Sequence, residues 1–437
     1  MYAQEKIAQI EERATVLDSA VELFRKQQTQ LDGTVTAEDK LELRRRFSEL
    51  EEELNEHLSD EYGIKKSGFK KWKESHKPFH WFCDFHRITA SGGFDVIIGN
   101  PPYVEYAKVR SEYTVKVVST LDCGNLYAFV LERCKQVAGP NAREGLIVPL
   151  SIVCTDRMKP LRHRLSTGTI WTPSFDMRPS ALFEGVAQRL SIVLQQNGSS
   201  VTERMSGGYR RWTSAERGAL LDTSRFVKVA GESADVIPKI VSPLERSILG
   251  KLGSRSLQWF VREDAAPIYV HRIVRYFVKA LDKAPVFIDA NGESSRSDDY
   301  KPFCFDPKQR AYIVPLLNSS LFYWFWRSHS DGFHCGYGDV YRMPFKDDLS
   351  LTTSSSLASL GKKLQRDLFK NSAEKQIRTK AGQITYQEFY PKQSKAILDE
   401  IDAVLAEHYG LTEEELDFIM NYDIKYRLGV DENEDEE

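Results

Sequence analysis

Apolar residues first recur at helical spacing. Over residues 3–28 they fall at Ile7, Ile10, Ala14, Leu17, Val21 and Phe24, and over 37–59 at Leu41, Leu43, Phe47, Leu50, Leu54 and Leu58. Asp32-Gly33 supplies a turn between the runs, and Thr36 ahead of Ala37-Glu38-Asp39 has the pattern of a helix N-cap. The two segments predict a highly charged, solvated helical hairpin. Residues 66–92 change character, with Trp72, Phe79, His80, Trp81, Phe82, Phe85 and His86 set among basic residues. Next, Phe94-Asp-Val-Ile-Ile-Gly99 is a continuous apolar run, which predicts a fully buried strand of a parallel sheet. Two prolines stop that strand, so Asn100-Pro101-Pro102-Tyr103 is displayed at its carboxyl end, where open α/β sheets bind ligands.

The alternation continues with a helix over 125–138, a strand over 145–149, a helix over 156–166 and a strand over 189–196. It predicts an α/β fold with a mainly parallel sheet. Polar and Gly residues over 197–208 suggest an irregular connection. Residues 225–350 read as a mixed α/β unit and 351–356 as a linker or cap. Residues 357–409 read as largely helical, interrupted at Phe389-Tyr390-Pro391, and Thr412 caps a final helix. The divisions are a helical hairpin (1–65), a sheet-bearing unit (66–200), a mixed α/β unit (201–350), a helical region (351–430) and an acidic tail (431–437). There is no internal repeat.

Composition narrows the classes. At 41% hydrophobic and 28% charged residues, the 437-residue chain is neither mostly disordered nor fibrous. No apolar run spans a membrane and the start has no signal-peptide core, so a cytoplasmic location is the default. Cysteines at 83, 123, 134, 154, 304 and 335 have no CxxC spacing. They read as reduced thiols, and His76, His80 and His86 read as packing or surface residues, so no metal is expected. The net charge of −3 becomes +3 once the six acids of residues 431–437 are set aside, so local basic patches matter more than the total.

The chemistry lies in Asn100-Pro101-Pro102-Tyr103. An Asn amide oxygen and a Pro carbonyl are both acceptors. Side by side, they can take the two N–H bonds of one exocyclic amine and orient its lone pair. The prolines fix both acceptors in advance, and Tyr103 offers a ring face for an extruded base. This describes a nitrogen nucleophile positioned for attack on a methyl sulfonium, with orientation and electrostatics as the main catalytic contributions.

Phe94 to Tyr103 resembles the catalytic motif of amino-directed DNA methyltransferases, specifically the N6-adenine enzymes of the type IIG restriction–modification and BREX-like phage-defence group. Asn125-Leu-Tyr-Ala-Phe-Val-Leu-Glu132, Gly145-Leu-Ile-Val-Pro149 with Leu161-Arg162, and Leu182-Phe-Glu-Gly-Val186 with Gln188-Arg189 are similar to the segments that follow it in that group. Leu316 to Phe322, Ser330-Asp331-Gly332 and Tyr409 to Glu415 resemble its target recognition domain and C-terminal part. The resemblance implies a partial Rossmann-like methyltransferase sheet, then a recognition domain and C-terminal helices. It implies adenine contact at Asn100, Pro101, Pro102 and Tyr103, and a second aromatic, Phe183, at the base pocket. The methyl donor would be S-adenosyl-L-methionine and the partner double-stranded DNA. Arg272, Arg275, Lys279, Lys301 and Arg310, with Arg296 and Lys308, become candidates for phosphate contact.

The chain departs from the group in one respect. The group grips its cofactor with a strand and Gly-rich loop upstream of the catalytic motif. Residues 1–92 hold the charged hairpin there instead, and Gly336-Tyr-Gly338 is not preceded by an apolar strand. Most of the cofactor site is therefore expected outside this chain, on a second polypeptide or as the other part of a split or truncated gene product. The isolated chain is expected to bind the cofactor poorly and to transfer no methyl group. Two other readings are a DNA-recognition or interaction subunit without catalysis, and a methyltransferase acting on RNA or a protein amide. No nuclease constellation is evident.

Overall fold

The computed structural model of the protein describes residues 2–29, 36–116, 118–198, 203–229 and 236–429. Helices α1 (Tyr2–Thr29) and α2 (Ala37–Glu61) form the expected hairpin. Thr36 starts α2 through a capping box: its side chain accepts from the Asp39 amide at 3.1 Å, and its own amide donates to the Asp39 carboxylate at 2.9 Å. Ile10, Ala14 and Leu50 form a small core between the helices, with Leu43, Phe47 and Leu54 against it. The Asp32-Gly33 turn and the acidic tail lie outside the described residues. Residues 66–92 fold into short helices that dock on the hairpin through buried Trp72, the Lys73–Glu52 ion pair and a 2.8 Å hydrogen bond between His80 and Asn55. Trp81 and Phe85 lie edge-on to Phe94, with ring centroids 5.6 and 5.1 Å away.

A six-stranded sheet follows: β1 (Phe94–Gly99), β2 (Ala138–Pro149), β3 (Thr169–Phe175), β4 (Leu190–Gln196), β5 (Glu203–Arg210) and β6 (Val227–Val229), in the spatial order β1-β2-β4-β3-β5-β6. The β1–β2 and β3–β5 pairs are parallel, while β2–β4, β3–β4 and β5–β6 are antiparallel. The sheet is thus mixed rather than mainly parallel. Residues 176–189 between β3 and β4 contain no helix, and without a crossover the two strands meet as an antiparallel pair.

Two further expectations change. Residues 203–210 are a strand, not an irregular connection, so the sheet runs past residue 200. Gly207 permits this, because a Cβ there would stand 2.8 Å from Pro173 Cα. At Gly208 (φ +74°) the β3–β5 register also shifts. And β1, expected to be fully buried, is the edge strand. Val96 is 61% and Ile98 80% exposed, because nothing in the described chain pairs beyond β1 or covers that face of it.

The remainder carries β7 (Pro267–His271), β8 (Ala280–Leu281), β9 (Phe287–Ile288), β10 (Tyr300–Cys304), β11 (Ala373–Thr379) and β12 (Gly382–Glu388). They form two three-stranded sheets, β10-β7-β8 and β11-β12-β9. The β11–β12 hairpin stands where the sequence predicts helix. Residues 351–356 are the first turns of the helix Leu351–Lys370, capped by Ser350. The aromatic run 322–326 lies in the helix Ser320–His329, buried from Ser320 to Ser328. One hydrophobic cluster joins the covered face of the large sheet to this helix and to the helices Pro307–Asn318, Leu351–Lys370 and Lys395–Tyr409. Residues 123–419 therefore share a core across the divisions expected at 200 and 350. Among the described residues, no helix is long and apolar enough to cross a membrane.

Candidate active site

Strand β1 ends at Gly99, and the next four residues turn away from the sheet. Asn100 and Pro102 are exposed, Pro101 is buried and Tyr103 is half-buried. The Tyr103 hydroxyl lies 2.5 Å from Asn100 Oδ1 and 2.9 Å from the carbonyl oxygen of Ile147 on β2. Its one proton is shared between these acceptors. Burial pushes this hydroxyl up to about 12, so it remains a donor at neutral pH. Tyr103 thus orients the Asn100 amide against the neighbouring strand and leaves the second lone pair of Oδ1 available.

The following residues are braced. Glu105 receives a bidentate pair from Arg157 (3.0 and 2.7 Å) and a 3.1 Å bond from the Asn125 amide. The Arg157 hydrogen bonds hold the Glu105 carboxyl below its ordinary range. Asn125 also caps the helix Leu126–Val137, and the Leu126 amide donates to the Val104 carbonyl at 2.9 Å. Beneath, buried Glu132 accepts from the amides and hydroxyls of Ser119 and Thr120 at 2.7–2.9 Å. Burial works to raise this carboxyl, but the four donors outweigh it and hold it below the ordinary value. Glu132→Ala should therefore cost about 3 kcal/mol, since it leaves buried donors without an acceptor. The loss, measured by urea unfolding, should be full at neutral pH. It should shrink as pH falls from the ordinary carboxylate value through the lower folded one.

Phe183 is half-buried in the loop 176–189, which leaves the same end of the sheet as Asn100: β3 runs parallel to β1 and its carboxyl end opens this loop. The basic candidates lie elsewhere and are mostly engaged. Arg272 pairs with Asp299 at 2.9 Å and Lys279 with Glu388 at 2.6 Å. Lys301 sits 5.4 Å from the Tyr337 ring centroid. Arg310 donates to the carbonyls of Ala266, Pro267 and Asp282, so it ties the start of β7 to the segment that follows β8. Arg275 lies beside the helix Ser320–His329, where its carbonyl faces the Tyr323 hydroxyl at 3.4 Å.

The face of β1 above the loop is bare. Ile98 is registered with Gly145 on β2, and Gly145 with Leu194 on β4; Ile98 and Leu194 are both exposed. Gly336 starts the short helix Tyr337–Tyr341, its amide donating to the Asp339 carboxylate at 2.8 Å, and Gly338 faces Asp156. No cluster of three or more His, Cys, Asp or Glu among the described residues could hold a metal ion. His76 and His80 serve packing, one accepting from the Thr114 amide at 3.0 Å and the other bonded to Asn55.

Known proteins bear on this geometry. Residues 4–172 match the family Eco57I restriction-modification methylase. RM.MjaORFECS2P of Methanocaldococcus jannaschii, described as a type II restriction enzyme and methyltransferase, is 35% identical over 94 residues, 22% of this chain and 8% of that protein. The type II methyltransferase M.XhoI of Xanthomonas vasicola is 30% identical over 132 residues, 28% of this chain and 22% of that protein. The chain thus spans less than a quarter of either relative. The resemblance to restriction–modification methyltransferases holds. Two solved structures overlap loosely. The nuclease-deletion mutant of the Type ISP restriction-modification enzyme LlaGI with a DNA substrate mimic has TM-score 0.36 at 10% identity, over 68% of this chain and 44% of that one. The DrdV–DNA complex has TM-score 0.30 at 12% identity, over 65% and 45%.

Proposed function

We propose that this chain is the amine-holding part of a site-specific DNA adenine N6-methyltransferase of the restriction–modification kind. The observation that carries the reading is the Asn100–Tyr103 loop, set at the carboxyl end of a strand with one edge and one face uncovered. Asn100 Oδ1 and the Pro101 carbonyl accept the two N–H bonds of the adenine amine. Pro101 and Pro102 hold the backbone, Tyr103 orients Asn100 and stacks the extruded base, and Phe183 closes the pocket from the 176–189 loop. The site-specific resemblance supports duplex DNA as substrate.

S-adenosyl-L-methionine is the methyl donor that the reading requires. The residues present do not fit it as a complete site, so this chain's part is confined to the amine. A doubly wound sheet covers both faces and binds its ligand where the strand order reverses. The bare edge of β1 and the exposed row Val96, Ile98 and Leu194 suit a further strand and helix, which we assign to a cofactor-binding unit outside these residues, on a second polypeptide or as the other part of a longer or split gene product.

The test is transfer of labelled methyl groups from S-adenosyl-L-methionine to unmodified duplex DNA, with the chain alone and mixed with the product of the neighbouring upstream reading frame. Activity is expected only in the mixture, and Ile98→Lys should abolish it by placing a charge in the covered row. Activity of the chain alone would refute the need for a partner. Silence in both, with duplex still bound, would leave a non-catalytic recognition subunit.

A further inference from the structure

Residues 373–388 form a two-stranded ribbon that the function above does not use. Its strands β11 and β12 are joined by Lys380-Ala381, with Gly382 at φ +143°. Every residue of β11 is exposed. Opposed residues of an antiparallel pair share a face, and the register separates two unlike faces. One carries the pairs Ile377–Ile384, Lys375–Tyr386 and Thr379–Gly382; its Ile377, Ile384 and Tyr386 line a cleft of about 510 Å³ over residues 285–300. The other carries Gln376 opposite Thr385 and Arg378 opposite Gln383, with Glu374 opposite Gln387 at the base of the ribbon. Here the Gln383 amide donates to Gln376 Oε1 at 2.6 Å, which sets the two amide groups side by side.

The base of the ribbon is fixed on the body. Lys279 pairs with Glu388, the Val286 amide donates to Gln387 Oε1 at 3.1 Å, and Gln387 Nε2 donates to Ser372 Oγ at 2.8 Å. β12 also pairs with β9. The far part is unopposed in charge: residues 375–387 hold Lys375, Arg378 and Lys380 and no acid.

From this we infer that the outer face of the β11–β12 ribbon enters the major groove of duplex DNA, with Gln376, Arg378 and Gln383 reading base edges and Lys380 meeting phosphate. The inference rests on the duplex-DNA reading and adds the element that selects sequence. The major groove admits a two-stranded ribbon. Gln pairs with adenine N6 and N7, Arg with guanine O6 and N7, and the methyl of Thr385 suits thymine. No apolar group larger than that methyl lies on this face, so it lacks the aromatic and aliphatic anchors of a protein interface. The bracing at Glu388 and Gln387 supplies the rigidity that such reading needs.

The test is enrichment of a bound motif from a random duplex pool by the full chain, followed by affinities for the enriched and an unenriched duplex over a range of salt. Wild type should enrich a defined motif. Gln376→Ala with Gln383→Ala, and separately Arg378→Ala, should each lose about ten-fold or more of the preference, with affinity for the unenriched duplex within about two-fold. Lys380→Ala should weaken both duplexes alike and flatten the salt slope by about one. Unchanged thermal unfolding will show that the variants are folded, as expected for exposed positions. Variants that enrich the same motif equally well would overturn the inference, leaving the cations only to keep the ribbon edge from pairing with other chains. Wild-type binding without any preference would overturn it too. Failure of wild type to bind duplex at all would overturn the duplex-DNA reading itself.

Discussion

Asn100→Ala should lower methyl transfer to duplex DNA by about 10²–10³-fold or more in the complemented protein, the loss expected when a preorganised polar group aimed at the reacting centre is removed. Asn100 is exposed at the end of β1, so its truncation opens no cavity and should leave thermal unfolding unchanged. Duplex affinity should also persist, since the amide acts on one extruded amine and not on the backbone. Tyr103→Phe is the informative companion. It keeps the ring that stacks the base but deletes the hydroxyl shared between Asn100 Oδ1 and the Ile147 carbonyl. The Asn100 amide then loses one hydrogen bond of orientation, about 1 kcal/mol or five- to ten-fold in rate. Single-turnover rates on a short duplex separate the two variants. If Asn100→Ala transferred methyl groups at the wild-type rate, the amine-holding role of the loop would be untenable.

What the sequence discloses about this site is its local part. Prolines set the backbone of residues 100–103 without help from distant residues, so the loop and its acceptors are legible as written. The links that aim it are not, because they join residues far apart: Tyr103 to Ile147, 44 positions on, and Glu105 to Arg157, 52 positions on. The same division runs through the fold. The α1–α2 hairpin is legible because a capping box and a 3.6-residue period are local signals. Strand β1 is legible as a strand, but its burial is not, since burial belongs to whatever packs against Val96 and Ile98. The glycines at 207 and 208 imitate a loop while serving the close approach of β5 to β3. Residues 373–388 imitate a helix by their Ala, Glu, Lys and Gln content. The alternation of Ile377 with Thr379, and of Ile384 with Tyr386, on either side of Gly382 is the signal that identifies the ribbon.

Asp176→Ala should be the most destabilising single change, at about 3–5 kcal/mol, because it breaks a buried ionic network and leaves the other members charged. Asp176 directly follows β3 and is met by Arg327 at 3.0 Å, Arg211 at 3.2 Å and Arg189 at 3.3 Å. Asp423 supplies the second carboxylate, 2.8 Å from Arg327 and 3.4 Å from Arg211. Arg327 also lies 4.4 Å from the ring centroid of buried Tyr209. Without Asp176, Arg327 and Arg211 would share the single carboxylate of Asp423, and Arg189 would lose its carboxylate partner. Burial works to raise the Asp176 carboxyl, but Arg327, Arg211 and Arg189 together hold it below its ordinary value. A carboxyl lowered on folding contributes fully above its unfolded value, and the contribution fades as pH falls through the folded one. The gap between wild type and Asp176→Ala in urea unfolding should therefore be widest at neutral pH and close on acidification. The network also bears on function. Asp176 and Arg189 are the two ends of the loop that carries Phe183, and Asp176 ties Arg189 to Arg327 of the buried helix Ser320–His329. Loosening that anchor should free the loop at the proposed base pocket, so methyl transfer should fall at temperatures where the variant remains folded. A loss of stability below about 1 kcal/mol would mean that the arginines are satisfied without Asp176, and the coupling of sheet to helix would have to lie elsewhere.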